Sequence, residues 1–286
     1  MARLARRLCG RSVGLVLSGG GARAFAHIGV SEQLEAAGIA VDRIAGVSMG
    51  AFLGGLYAAG LDPEEIDAIA YDSFVRKYPL NDWRIPRHSM IQGQRFAEML
   101  EGVFGDVRFE ELGRSFFCAS ADLRRSELVV HRSGRLGDHI GTSMCLPVLA
   151  PPQVRGERLL IDGGLIDNLP VESMAELGEG PVIAVDIRAG GGPAAASNGA
   201  GQEELEAATP GFTDRPAPGL GETLGRLFLL ASSNTAQASR KHANLVIEPR
   251  SPGVGLLEFH QIDAAVEAGR RATEAALEAA PAELFT

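Results

Sequence analysis

The sequence predicts an α/β fold in which a mostly parallel sheet carries helices on both faces. Apolar runs of strand length alternate with helical stretches along most of the chain, the pattern that successive βα units impose. Glycine clusters fall where strands give way to helices, at 19–21, 46–50 and 163–164. The 286 residues, 45% of them hydrophobic and 22% charged, suffice for a large core and lie near the size at which one core is still usual.

The elements follow in order. Residues 1–12 form a basic linker or short helix, because Gly10, Arg11 and Ser12 interrupt before any signal-peptide core can build. Residues 13–18 are an apolar strand, and 22–37 a helix with Phe25, Ile28 and Leu34 on its buried side. A short strand ends at 43–45 and a helix rich in Ala, Leu and Gly runs over 49–59. The uncharged stretch 44–61 has the length of a membrane span, but its glycines and internal turn make it a buried strand-turn-helix. Helices are expected at 63–72 and 94–102, strands at 115–123 and 127–132, and a further strand at 159–161. After a strand at 182–187, residues 189–220 break the rhythm with Gly190, Gly191, Gly192, Pro193 and the acids Glu203, Glu204 and Glu206. Such composition reads as a mobile loop, either plainly disordered or a lid for which Leu205 and Phe212 are the large apolar anchors. A helix over 221–240, a strand over 244–248 and a helix over 260–279 complete the chain, so that 13–286 reads as one domain.

Chemistry concentrates at the glycine turns. Ser48 stands between Gly46 and Gly50, and glycines two residues to either side let a strand reverse sharply into a helix with the serine exposed at the helix N-terminus. Unpaired N–H groups there favour the negative charge that a reacting serine oxygen passes on. Upstream, Gly19, Gly20 and Gly21 supply bare backbone whose N–H groups can converge on an oxyanion, with Arg23 in the first turn beyond them to fix the loop or meet a substrate phosphate. Gly19, Gly21 and Ala24 also satisfy a dinucleotide fingerprint, with Asp42 near the position of a ribose-binding acid. No Gly-Lys-Ser/Thr follows, which excludes a P-loop. Asp162 ends an apolar strand just before Gly163 and Gly164, where open sheets place chemistry, and is a candidate base for Ser48 without an intervening histidine. A turn aspartate bracing its own loop is the structural alternative.

Together these three motifs resemble the patatin-like phospholipase family. The resemblance extends over nearly the whole chain, through 26–30, 143–147 and 165–170, and is closest to the catalytic domain of the neuropathy target esterase type. Ala24 departs from it, since the family motif commonly ends in glycine there. The likeness implies a three-layer α/β/α fold with a central, mostly parallel sheet. It implies Ser48 as nucleophile, Asp162 as base, and Gly19, Gly20, Gly21 and Arg23 as the oxyanion region. It also implies a lipid ester substrate, most of all a lysophospholipid, and no metal or organic cofactor. Relatives of this type often carry nucleotide-binding domains ahead of the catalytic part, so the chain reads as a stand-alone enzyme or as an excised domain.

Two rival functions stand beside this one. An esterase with a Ser-Asp-His triad would recruit His242 or His260, both after Asp162 in the chain. A catalytically silent module holding acyl chains or a protein would have no need of all three motifs. The net charge of −9 argues against nucleic acid. The N-terminal arginines are candidates for peripheral contact with anionic headgroups. Cys9, Cys118 and Cys145 show no paired or zinc-binding spacing, which suits reduced thiols in the cytoplasm. No motif speaks to headgroup, acyl length or oligomeric state.

Overall fold

The computed structural model describes residues 2–83, 85, 89–187, 235, 237–281 and 283–285. Among these residues eight strands form one sheet: β1 (Val13–Leu17), β2 (Val41–Val47), β3 (Ser115–Asp122), β4 (Glu127–His131), β5 (Gln153–Arg155), β6 (Arg158–Asp162), β7 (Val182–Val185) and β8 (Leu245–Ile247). Their order is β5-β6-β3-β2-β1-β7-β8, with β4 also paired to β3. The run β8-β7-β1-β2-β3 is parallel, and β4, β6 and β5 add antiparallel pairings beyond it. The sheet is therefore mixed but mostly parallel.

Helices cover both faces, which is why every residue of β1 and β2 is buried. In order they are α1 (Ala2–Leu8), α2 (Ala26–Ala36), α3 (Met49–Ala59), α4 (Pro63–Ala70), α5 (Gln94–Phe104), α6 (Leu136–Ser143), α7 (Val171–Ala175) and α8 (Ile262–Ala279). Side-chain alternation along β1 separates the two layers. Leu15 and Leu17 join the larger core, which holds Ile28, Leu34, Phe52, Leu56 and Val266, whereas Val16 joins a smaller one with Leu169, Val171 and Met174. In the larger layer α2 crosses α8 backbone to backbone, because a Cβ on Gly29 or on Gly269 would overlap a carbonyl of the other helix. A cluster of Phe25, Phe52, Phe74, Phe104 and Phe259, joined mostly edge to face, fills the space around α3.

The end of the sheet where the parallel strands begin is pinned by arginines. Buried Arg43 donates to the Ser12 carbonyl at 2.6 Å and to that of Gly180 at 3.2 Å. From α1, Arg6 forms a two-point pair with Asp42 at 2.6 and 2.8 Å, and Arg7 binds Glu179 at 2.7 Å.

Several elements differ from expectation at their limits. Residues 94–104 are helical two residues further than the sequence predicts, and after α4 the chain continues as a π-helical turn, Tyr71–Arg76. The short helices α6 and α7 and the three-residue β5 are additional to the expected elements. The stretch 44–61 is the end of β2, a turn and α3, and no described helix is long and apolar enough to cross a membrane. The expected loop and lid over 189–220 lie outside the described residues, as does most of the expected helix over 221–240.

Candidate active site

Strand β3 brings Ser48 and Asp162 together. It pairs with β2 up to Val47 opposite Ala119, and with β6 from the very next residue, Ser120 opposite Asp162. Because β4 occupies the other edge of β3 over 118–122, β2 and β6 must share one edge and meet end to end. Ser48, directly after Val47, and Asp162, the last residue of β6, thus arrive at the same point from opposite directions.

The serine turn is tight and strained. Ser48 has φ 56° and ψ −127°, a conformation costing a non-glycine residue about 1–3 kcal/mol. Its surroundings hold it there. The Ser48 N–H donates to Ser143 Oγ at 2.9 Å, while the Ser143 hydroxyl donates to the Ala119 carbonyl at 2.6 Å, so Ser143 extends the β2–β3 ladder by one rung. The Ser48 carbonyl accepts the N–H groups of Ala51 and Phe52 at 2.9 and 3.2 Å and starts α3. Gly46 and Gly50 are required sterically: a Cβ on Gly46 would overlap the Gly50 carbonyl, and one on Gly50 would lie 2.6 Å from the Ser18 oxygen.

Asp162 is fully buried. Its N–H donates to the Cys145 carbonyl at 2.9 Å, and its Oδ1 accepts the Gly164 N–H at 2.8 Å. Gly163 turns the chain so closely over β3 that a Cβ there would overlap the Ala119 carbonyl. Oδ2 has no hydrogen-bond partner of regular geometry. Burial raises the carboxyl to about 7, and the nearby Ser48 hydroxyl and the Gly164 N–H act in the opposite direction. A carboxylate near neutrality, beside a half-buried serine, can take a proton at physiological pH.

The glycine loop lies against the serine. A Cβ on Gly19 would stand 2.9 Å from the Ser48 Cβ. The Gly19 N–H is engaged by Asn168 Oδ1 at 3.1 Å, whereas those of Gly20 and Gly21 have no partner among the described residues. Gly21 has φ +56°, and a Cβ there would overlap the Leu256 carbonyl, which accepts the Ala22 N–H at 2.9 Å. Arg23 donates from Nε to the Val254 carbonyl at 2.7 Å, so it ties the same 254–256 segment to the loop. Beneath lies His27, whose pKa burial lowers to about 4. The neutral ring donates from Nε2 to the Ser18 carbonyl at 2.8 Å, since a carbonyl can only accept.

Two alternatives fail on position. Asp42 is the second residue of β2, at the end of the sheet away from the glycine loop, and is paired with Arg6, which removes the dinucleotide reading. His242 and His260 are both exposed, and neither is among the groups that act on the ionisation of Asp162. Ser143, Asn168 and His27 were not assigned to the site by sequence. All three fall within stretches that carry the family resemblance, the one signal that pointed to them.

Residues 15–175 match the family model described as patatin-like phospholipase. An uncharacterised NTE family protein of Mycobacterium tuberculosis (strain CDC 1551 / Oshkosh) is 41% identical over 285 residues, covering 97% of this chain and 48% of that protein. Lysophospholipase nte1 of Aspergillus fumigatus is 36% identical over 278 residues, covering 93% of this chain and 18% of that protein. The chain thus spans about half the length of the mycobacterial relative and less than a fifth of the fungal one. Among solved structures, VipD from Legionella pneumophila superposes with a TM-score of 0.54 at 16% identity, over 94% of this chain and 67% of that one, a likeness of fold.

Proposed function

This chain belongs to the patatin-like phospholipase family, and from that premise we propose that it hydrolyses carboxylic esters of lipids, lysophospholipids first among them, through Ser48 and Asp162. The observation that carries the reading is a buried carboxyl raised to about 7 next to the hydroxyl of a strained serine, with glycine amides alongside. The name lysophospholipase on a fungal relative supports the substrate class.

Ser48 Oγ attacks the ester carbonyl as Asp162 accepts its proton. The carbonyl oxygen becomes an oxyanion, stabilised by N–H donors of the 19–21 loop. Collapse expels the alcohol, which takes the proton from Asp162 and leaves an acyl-Ser48 ester. Water then attacks that ester with Asp162 again as base, releasing the fatty acid and restoring the serine. Gly46 and Gly50 build the elbow, Gly163 and Gly164 the turn of the base, and Arg23 braces the loop.

The enzyme meets its lipid at a membrane surface through the end of the sheet that bears Ser48. The arginines of α1 sit at the other end and are occupied by Asp42 and Glu179, which argues against them as the contact. Three cysteines without disulfides suit a cytoplasmic setting. Fatty-acid release from lysophosphatidylcholine tests the proposal: Ser48→Ala and Asp162→Asn should each lower kcat by 10³-fold or more, on the order expected for removing a nucleophile or its base. His242→Ala and His260→Ala should stay within about twofold of wild type, on the scale of surface substitutions. Full activity in Asp162→Asn, or loss of activity in a histidine variant, would refute the dyad.

A further inference from the structure

Asn168 lies in the same turn as Asp162, yet its side chain is spent on the glycine loop. Fully buried, it accepts the Gly19 N–H on Oδ1 at 3.1 Å and donates from Nδ2 to the Gly19 carbonyl at 3.0 Å. The two atoms it grips belong to different peptide planes. The Gly19 N–H is part of the 18–19 peptide, whose other end, the Ser18 carbonyl, is held by His27. The Gly19 carbonyl is part of the 19–20 peptide, whose other end is the N–H of Gly20. Because a trans peptide is planar, fixing that carbonyl fixes the Gly20 N–H to point the opposite way, away from Asn168.

We propose that Asn168 is a positioning residue for ester hydrolysis: it withdraws the Gly19 N–H from the oxyanion and aims the Gly20 N–H at it. The inference rests on the hydrolase reading above and narrows it, since only Gly20 and Gly21 then remain as loop donors. Glycine is otherwise free to rotate about both backbone bonds, so without the carboxamide the 19–20 peptide has no fixed direction. An N–H that must find its orientation during the reaction gives up the advantage of a preset dipole. Asn168 also binds the loop to the turn that carries the base, so the two halves of the site keep one geometry.

The test compares wild type, Asn168→Ala and Asn168→Asp on a soluble p-nitrophenyl ester. Loss of one aimed donor is worth about 10²–10³ in kcat. Asn168→Ala should therefore lower kcat by about 10²-fold with KM within about threefold, because the donor matters only once the oxyanion forms. Asn168→Asp keeps the shape; its carboxyl donates to the Gly19 carbonyl when protonated and repels it when ionised. The ratio of its kcat to that of wild type should fall as pH rises. Amide exchange at Gly19, followed by NMR, should be slow in wild type and fast in Asn168→Ala. Unchanged kcat, unchanged exchange, or an Asn168→Asp ratio flat at the level of the alanine variant would each overturn the proposal while leaving an active hydrolase. A wild-type protein without esterase activity would overturn the hydrolase reading itself, and this one with it.

Discussion

Asp162 is held in a state that favours function over stability. Its carboxyl rises from 3.8 to about 7 on folding because it is buried, so the unfolded chain ionises first as pH increases. Between those values the folded state binds more protons, and stability falls with rising pH, the reverse of a salt-bridged carboxylate. Below about pH 4 the group is neutral in both states and the penalty vanishes. Asp162→Asn should therefore unfold later than wild type at pH 8, by on the order of 1–3 kcal/mol, with the difference closing towards pH 4. Denaturant titrations at the two pH values measure this, and a variant no more stable than wild type at pH 8 contradicts it. The same ionisation should give kcat/KM an acidic limb centred near pH 7. Ser48 and Asp162 could be found by sequence because each needs glycines at fixed offsets, a constraint local to the turn. Ser143 and Asn168 act across 95 and 149 residues, and no local pattern records such a partner.

Among the elements, the β2–α3 elbow is the tightest. At Gly50 a Cβ would collide with the carbonyls of Leu17 and Ser18, which belong to the backbone at the end of β1 and cannot yield without moving the sheet. At Gly54, one turn on in α3, a Cβ would lie 3.1 Å from a methyl of Ile44 and 3.2 Å from one of Leu17, both side-chain atoms. Gly50→Ala should cost about 3 kcal/mol or more by overpacking. Gly54→Ala should change stability by less than about 1 kcal/mol, since better helix propensity offsets a mild squeeze. Urea midpoints for the two variants separate these outcomes, and equal losses would show that the elbow is not the tight point. Element lengths explain what the sequence revealed here. The uninterrupted apolar run of β1 and the eight residues of β3 are plain in it, and so are α2, α3 and α8. Helix α7 has five residues and β5 three, too few for a period to show, and α6 is broken by glycines and polar residues.

At the scale of the molecule, the site is a product of topology. The parallel strands β1 and β2 deliver the glycine loop and Ser48 at one end of the sheet, and β6, entering antiparallel on the same edge of β3, delivers Asp162 to meet them. The opposite end is closed by α1 and Arg43, so chemistry and anchoring are separated by the length of the sheet. The order of the three motifs and the α/β class were legible from alternation and glycines. The antiparallel entry of β6 was not, because strand direction in a sheet is set by pairings that a single sequence does not display.

A serine made reactive only by this assembly should be the one group that a fluorophosphonate captures, and intact-mass measurement of the probe-treated protein reads that directly. The expected result is one adduct per chain, mapped to the peptide containing Ser48 and absent both from Ser48→Ala and from urea-unfolded wild type. An adduct at another residue, or a folded wild-type protein that gains no mass, would contradict the account.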